Sequence, residues 1–179
     1  MPVFLIFPAW PASHPLIVHF PIALLLTAPL FIVLGASRKP SRSFPFLASA
    51  LLLMILGTVS LFLAAASGQA AGRALDEATS AAGTLERHEE LARAALVTFC
   101  ALTMIFGSIV LLPRLLRRMP GRALSTALPA VFLLFYLTGA ISLVHVAHQG
   151  GRLVHEFGIR APLHHGSGAT ARVHADRDR

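Results

Sequence analysis

Charge is scarce in this chain. Only 13% of its 179 residues are Asp, Glu, Lys or Arg, where a soluble domain usually carries about a quarter. That shortage excludes an ordinary soluble globular domain and makes the lipid bilayer the solvent. Cysteine is almost absent too. Cys100 stands alone between Phe99 and Ala101, so there is no internal disulfide and no C-x-x-C-H for covalent haem attachment. It reads as a small apolar packing residue. No Ser–His–Asp pattern and no phosphate-cradling Gly-rich loop is present. His88-Glu89 opens like the zinc motif H-E-x-x-H, but position 92 is Ala, so the second histidine is missing. These absences argue against an autonomous hydrolase or transferase. No basic patch with interleaved aromatics occurs either, which sets nucleic acid aside despite a formal charge of +7.

What the chain does have is long apolar runs: 55% of it is hydrophobic and the mean hydropathy is +0.71. Four segments of spanning length emerge, at about 15–36, 45–67, 84–113 and 125–148. The predicted fold class is all-α, an integral membrane four-helix up-and-down bundle. Residues 1–13 (MPVFLIFPAWPAS) are apolar but broken by Pro2, Pro8 and Pro11. They read as an interfacial lead-in anchored by Trp10. Residues 14–160 form the membrane domain, and 161–179 a polar tail expected to be disordered.

Pro21 and Pro29 lie inside the first segment and are expected to kink it. Ser60, Ala64, Gly68 and Gly72 recur every fourth residue of the second, giving a small-residue face that admits a neighbouring helix or a flat cofactor. Thr84 is the expected N-cap of the third segment, and Gly150-Gly151 the expected end of the fourth.

Charge position predicts topology. The loops after segments one and three hold Arg38, Lys39, Arg42, Arg114, Arg117, Arg118 and Arg122, and no acid. All acids and all histidines lie on the other side. The positive-inside rule then puts both termini outside the cytoplasm, on the periplasmic side of a bacterial inner membrane.

The histidines carry the functional expectation. His14 and His19 belong to the stretch HPLIVHFP at the mouth of segment one, and His88 lies one turn into segment three. His145 and His148 close segment four, and His155 follows it. In an up-and-down bundle all of these come to one face. On a helix His14 and His19 point about 140° apart, whereas His145 and His148 lie about 60° apart. Imidazoles from different helices at matched depth suit a b-type haem, while three or four converging on a point suit copper or zinc. Glu89, Glu90 and Glu156 neighbour the histidines and can orient them by hydrogen bonds or accept protons. His164, His165 and His174 fall in the tail.

The segments HPLIVHFPIALL, RHEELARAA and HQGGRLVHEFGI resemble the DUF2231 family of bacterial four-helix membrane proteins, over nearly all of residues 14–160. By motif, His14, His19, His88 and His148 are the matching positions. At His155 relatives usually carry an aromatic residue. Members resembling this chain occur fused to Rieske-type iron–sulfur or cytochrome modules, so the resemblance implies a redox setting. No such module is present here, so an electron partner is a separate chain.

The resulting expectation is a membrane electron-transfer protein or redox-complex subunit holding haem b near the periplasmic face. His19 and His88 are the first ligand pair, with His148 and His14 next. Its expected partners are the bilayer, membrane quinol, and a periplasmic cytochrome, iron–sulfur protein or larger redox complex. Copper or zinc binding, with His145 and His155 as further ligands, is the alternative, followed by a cofactor-free structural subunit.

Overall fold

Proline sets the first structural event. In the computed structural model, which describes residues 10–73, 80–117 and 121–159, a 3-10 turn over Trp10–Ser13 leads into α1, His14–Ile17. After Val18, which keeps helical backbone angles but interrupts the hydrogen-bond ladder, the chain resumes as α2, His19–Ala36. The break follows from Pro21, which has no N–H for the Ile17 carbonyl four residues back and whose ring crowds it. α3 is Pro40–Gly72, α4 Ala82–Leu115 and α5 Arg122–His155. Four spans are long and apolar enough to cross a membrane, α1 and α2 together making the first.

The helices form a ring: α2 packs on α3, α3 on α4, α4 on α5, and α5 closes back on α2. Leu25, Ala28, Ile32, Met54, Phe99, Phe106, Phe132 and Tyr136 fill its axis. The aromatic rings interlock there, Phe99 edge-on to Tyr136 at 5.6 Å between centroids and Phe106 tilted on Phe132 at 4.8 Å. The outer surface is just as apolar, with Leu30, Leu52, Met104 and Leu134 all more than half exposed. A protein apolar both inside and outside is matched to lipid rather than water.

Each inter-hairpin seam carries a polar link near mid-bundle. Pro29 leaves the Leu25 carbonyl without its helical donor, and the Tyr136 hydroxyl, fully buried on α5, donates to that carbonyl at 2.6 Å. Across α3 and α4, the Thr58 and Thr103 hydroxyls share a hydrogen bond of 2.9 Å.

Two expected helix ends differ. α4 begins at Ala82, its N-cap being Ala81 with no side-chain bond. Ala81 is buried and its carbonyl takes the Leu85 N–H at 2.9 Å, so Thr84 sits in the first turn rather than capping it. α5 runs through Gly150-Gly151 to His155. The chain turns instead at Gly158, where φ is +66°, a conformation open to glycine, and the Ile159 N–H reaches the Leu153 carbonyl.

At the end of the bundle away from the histidines, Arg38, Lys39, Arg42, Arg114 and Arg117 are exposed. Arg114 lies over the Phe44 ring at 3.2 Å and Arg38 over Phe46 at 5.5 Å. The first contact fastens the end of α4 to the start of α3 and the second holds the α2–α3 connection on α3, while both charges stay wet.

Candidate functional site

At the opposite end, α1 lays His14 against α3 and α4 lays His88 against α5. Both side chains are only partly exposed. His14 Nδ1 is 3.0 Å from Ser67 Oγ. That hydroxyl is buried and also lies 3.0 Å from the Ala64 carbonyl, to which it can donate. His88 Nδ1 is 3.1 Å from the Val146 carbonyl, which accepts by nature. The Val146 carbonyl fixes His88 as the Nδ1–H tautomer, and Ser67 engages His14 at the same ring nitrogen, so neither hydrogen bond uses Nε2. This is the arrangement by which proteins hold imidazoles ready as ligands, the far ring nitrogen donating to a hydroxyl or carbonyl.

Glycine makes the room. A Cβ on Gly68 would stand 2.9 Å from His14 Cε1, and one on Gly150 would stand 3.2 Å from His88 Cε1. The first is closer than Cβ atoms ever stand and the second is tighter than an ordinary contact, so each ring packs against a helix that lacks a side chain at that point. The small-residue face of α3 is thus occupied by its neighbours: Gly68 receives His14, and Gly72 receives the Glu89 carboxylate, whose Oε1 would be 3.0 Å from an added Cβ.

The other histidines lie elsewhere. His19 is exposed and its Nδ1 donates at 2.7 Å to the Pro15 carbonyl, in the turn interrupted by Val18. His14 and His88 are thus the two histidines packed against neighbouring helices at this end, while His19 is held only within its own turn. His145, His148 and His155 are exposed on α5. His164, His165 and His174 lie outside the described residues. Among the described residues no three His, Cys, Asp or Glu side chains converge as a metal site would require.

The acids are placed outside the imidazole contacts. Glu90 pairs with Arg87 at 3.4 Å, and Glu156 with Arg152 at 2.9 Å. The hydrogen bond from Arg152 holds the Glu156 carboxyl below its ordinary range. Ser67 and the Val146 carbonyl, rather than a carboxylate, orient the two half-buried rings.

Sequence reasoning marked both histidines but missed Ser67, Gly68 and Gly150 as their supports. Gly68 was visible only as one member of a small-residue stripe, and Gly150 only as a helix stop. Neither the curated proteins nor the solved structures contain a match to this chain. The family model described as a predicted membrane protein, DUF2231, matches residues 11–162, and the chain belongs to that family.

Proposed function

We propose that this protein is a small electron-transfer protein of the bacterial inner membrane, or the membrane subunit of a redox complex, holding a b-type haem between His14 and His88. The observation that carries the reading is the pair of anchored imidazoles, each from a different helix and each with Nε2 unengaged. Haem draws only two ligands from the protein, because the porphyrin supplies the other four nitrogens. Zinc and copper sites draw three or four, and no third donor converges here among the described residues. The donor set therefore fits haem better than a bare metal. When bound, the haem supplies a one-electron couple, while the chain supplies the axial nitrogens and fixes their orientation.

The basic residues at the start of α3 and the end of α4 support a cytoplasmic location for that face under the positive-inside rule. In this reading both termini and the histidine site are periplasmic. Membrane quinol and a separate periplasmic cytochrome or iron–sulfur protein are the partners that suit this position. With its histidines at one face, the chain does not carry electrons across the whole bilayer alone.

The test is an oxidised and a dithionite-reduced visible spectrum of detergent-purified protein, with a pyridine haemochrome assay. A sharp reduced α-band and about one haem b per chain are expected. A colourless preparation that stays colourless after haem-supplemented expression overturns the proposal, and metal analysis of that sample then decides for or against copper or zinc.

A further inference from the structure

The two half-sites are built alike, and the likeness extends through the whole bundle. His14 rests on Gly68 as His88 rests on Gly150. Three turns deeper, a Cβ on Gly57 would meet Leu25 at 2.7 Å, and one on Gly139 would meet Phe99 at 3.1 Å. The spacing is the same in both halves: Leu25 follows His14 by as many residues as Phe99 follows His88, and Gly57 precedes Gly68 as Gly139 precedes Gly150.

One constant shift carries the buried positions Pro21, Leu25, Ala28 and Ile32 onto Ala95, Phe99, Leu102 and Phe106, every one of them buried. A second constant shift carries Ala50, Met54, Gly57 and Leu61 onto Phe132, Tyr136, Gly139 and Leu143, again all buried. The second shift also aligns the sequence itself. Gly57-Thr58-Val59-Ser60-Leu61 falls on Gly139-Ala140-Ile141-Ser142-Leu143, and Leu51, Leu52, Ala65 and Gly68 fall on Leu133, Leu134, Ala147 and Gly150.

We infer that the chain is a tandem pair of equivalent helical hairpins, α1/α2–α3 and α4–α5, related by a twofold axis along the bundle. In this pair Gly68 and Gly150 are equivalent positioning residues that set His14 and His88 facing each other across the axis. The ring order requires this operator. A half-turn about the bundle axis exchanges the first span with α4 and α3 with α5, and so exchanges the α3/α4 seam with the α5/α2 seam. Those are the two seams that each carry one mid-bundle hydrogen bond, Thr58 to Thr103 and Tyr136 to Leu25. A ligand at the site therefore meets two like faces, one imidazole and one glycine-backed helix from each hairpin. The inference concerns the chain's own architecture and stands without the haem.

The test uses the full chain with Cys100→Ala. Spin labels on the lipid-facing positions Leu30, Leu52, Met104 and Leu134, introduced as cysteines two at a time, give four distances by pulsed electron resonance. Equivalence predicts that 30–52 matches 104–134 and that 30–134 matches 52–104. A mismatch within either pair of more than about 5 Å, half a usual interaxial distance, overturns it. Ring-15N histidine spectra test the glycines. Gly68→Ala should shift the His14 resonances alone and Gly150→Ala those of His88 alone, while Gly83→Ala, where a Cβ meets nothing within 4 Å, shifts neither. Glycine variants that leave both rings unmoved overturn the positioning role even if the distances agree.

Discussion

At the scale of the residue, what matters is which nitrogen or oxygen is already engaged. Tyr136 is the clearest instance. Its hydroxyl answers a carbonyl that Pro29 has stripped of its donor, in a place water does not reach. Tyr136→Phe leaves that carbonyl orphaned, and the expected loss is about 1–3 kcal/mol, read from unfolding in a mild detergent titrated with a denaturing one. Pro29→Ala restores the helical donor, so the same Tyr136→Phe change in the Pro29→Ala background should cost much less. A full-sized loss there contradicts the assignment. None of this was legible in the sequence, because Pro29 announces a missing donor but not the tyrosine more than a hundred residues away that compensates for it. The histidines were legible as a set at one face. The choice of His14 over His19 was not, because it depends on the interruption at Val18 and on a Ser67 hydroxyl that could be placed only after the helices were docked.

At the scale of the element, the helices are longer than their apolar runs, and the reasons are tertiary. α5 continues through two glycines, each worth about 1 kcal/mol against a helix, because Gly150 is where His88 lies. A local rule that reads paired glycines as a stop has no access to the ring on the other helix. Apolar length alone located all four spans, and the small-residue face of α3 was correctly seen as a place of close approach. The Thr58–Thr103 pair gives a test at this scale. Thr58→Val or Thr103→Val alone leaves one hydroxyl to find another acceptor at the α3/α4 seam, whereas the double variant replaces both with shapes of equal size. Since such links in membrane bundles average about 0.6 kcal/mol, each single variant should lose about that much and the double variant little more than either. Additive losses in the double variant would mean that the two hydroxyls act independently.

At the scale of the whole molecule, three kinds of surface divide the work: a basic end, an apolar belt and a histidine end. The sequence separated the ends through charge alone, since no acid accompanies Arg38, Lys39, Arg42, Arg114 and Arg117. With Cys100→Ala, a cysteine at Ser41 should react with a membrane-impermeant thiol reagent only in inverted vesicles, and one at Ser80 only in intact spheroplasts. The reverse pattern would place the histidine site in the cytoplasm and overturn the proposed periplasmic partners. The pairing of hairpins was also written in the sequence, in the repeated Gly-x-x-Ser-Leu of α3 and α5. It becomes visible there only once the half-sites suggest the shift at which to compare them. The central claim is that His14 and His88 form the working site, and the most direct measurement compares the reduced α-band and the low-spin electron resonance signal in His14→Ala, His88→Ala and His19→Ala. Loss of the low-spin signal in the first two, with the third unchanged, is the predicted result. A His19→Ala protein that loses the signal while His14→Ala keeps it would contradict the account.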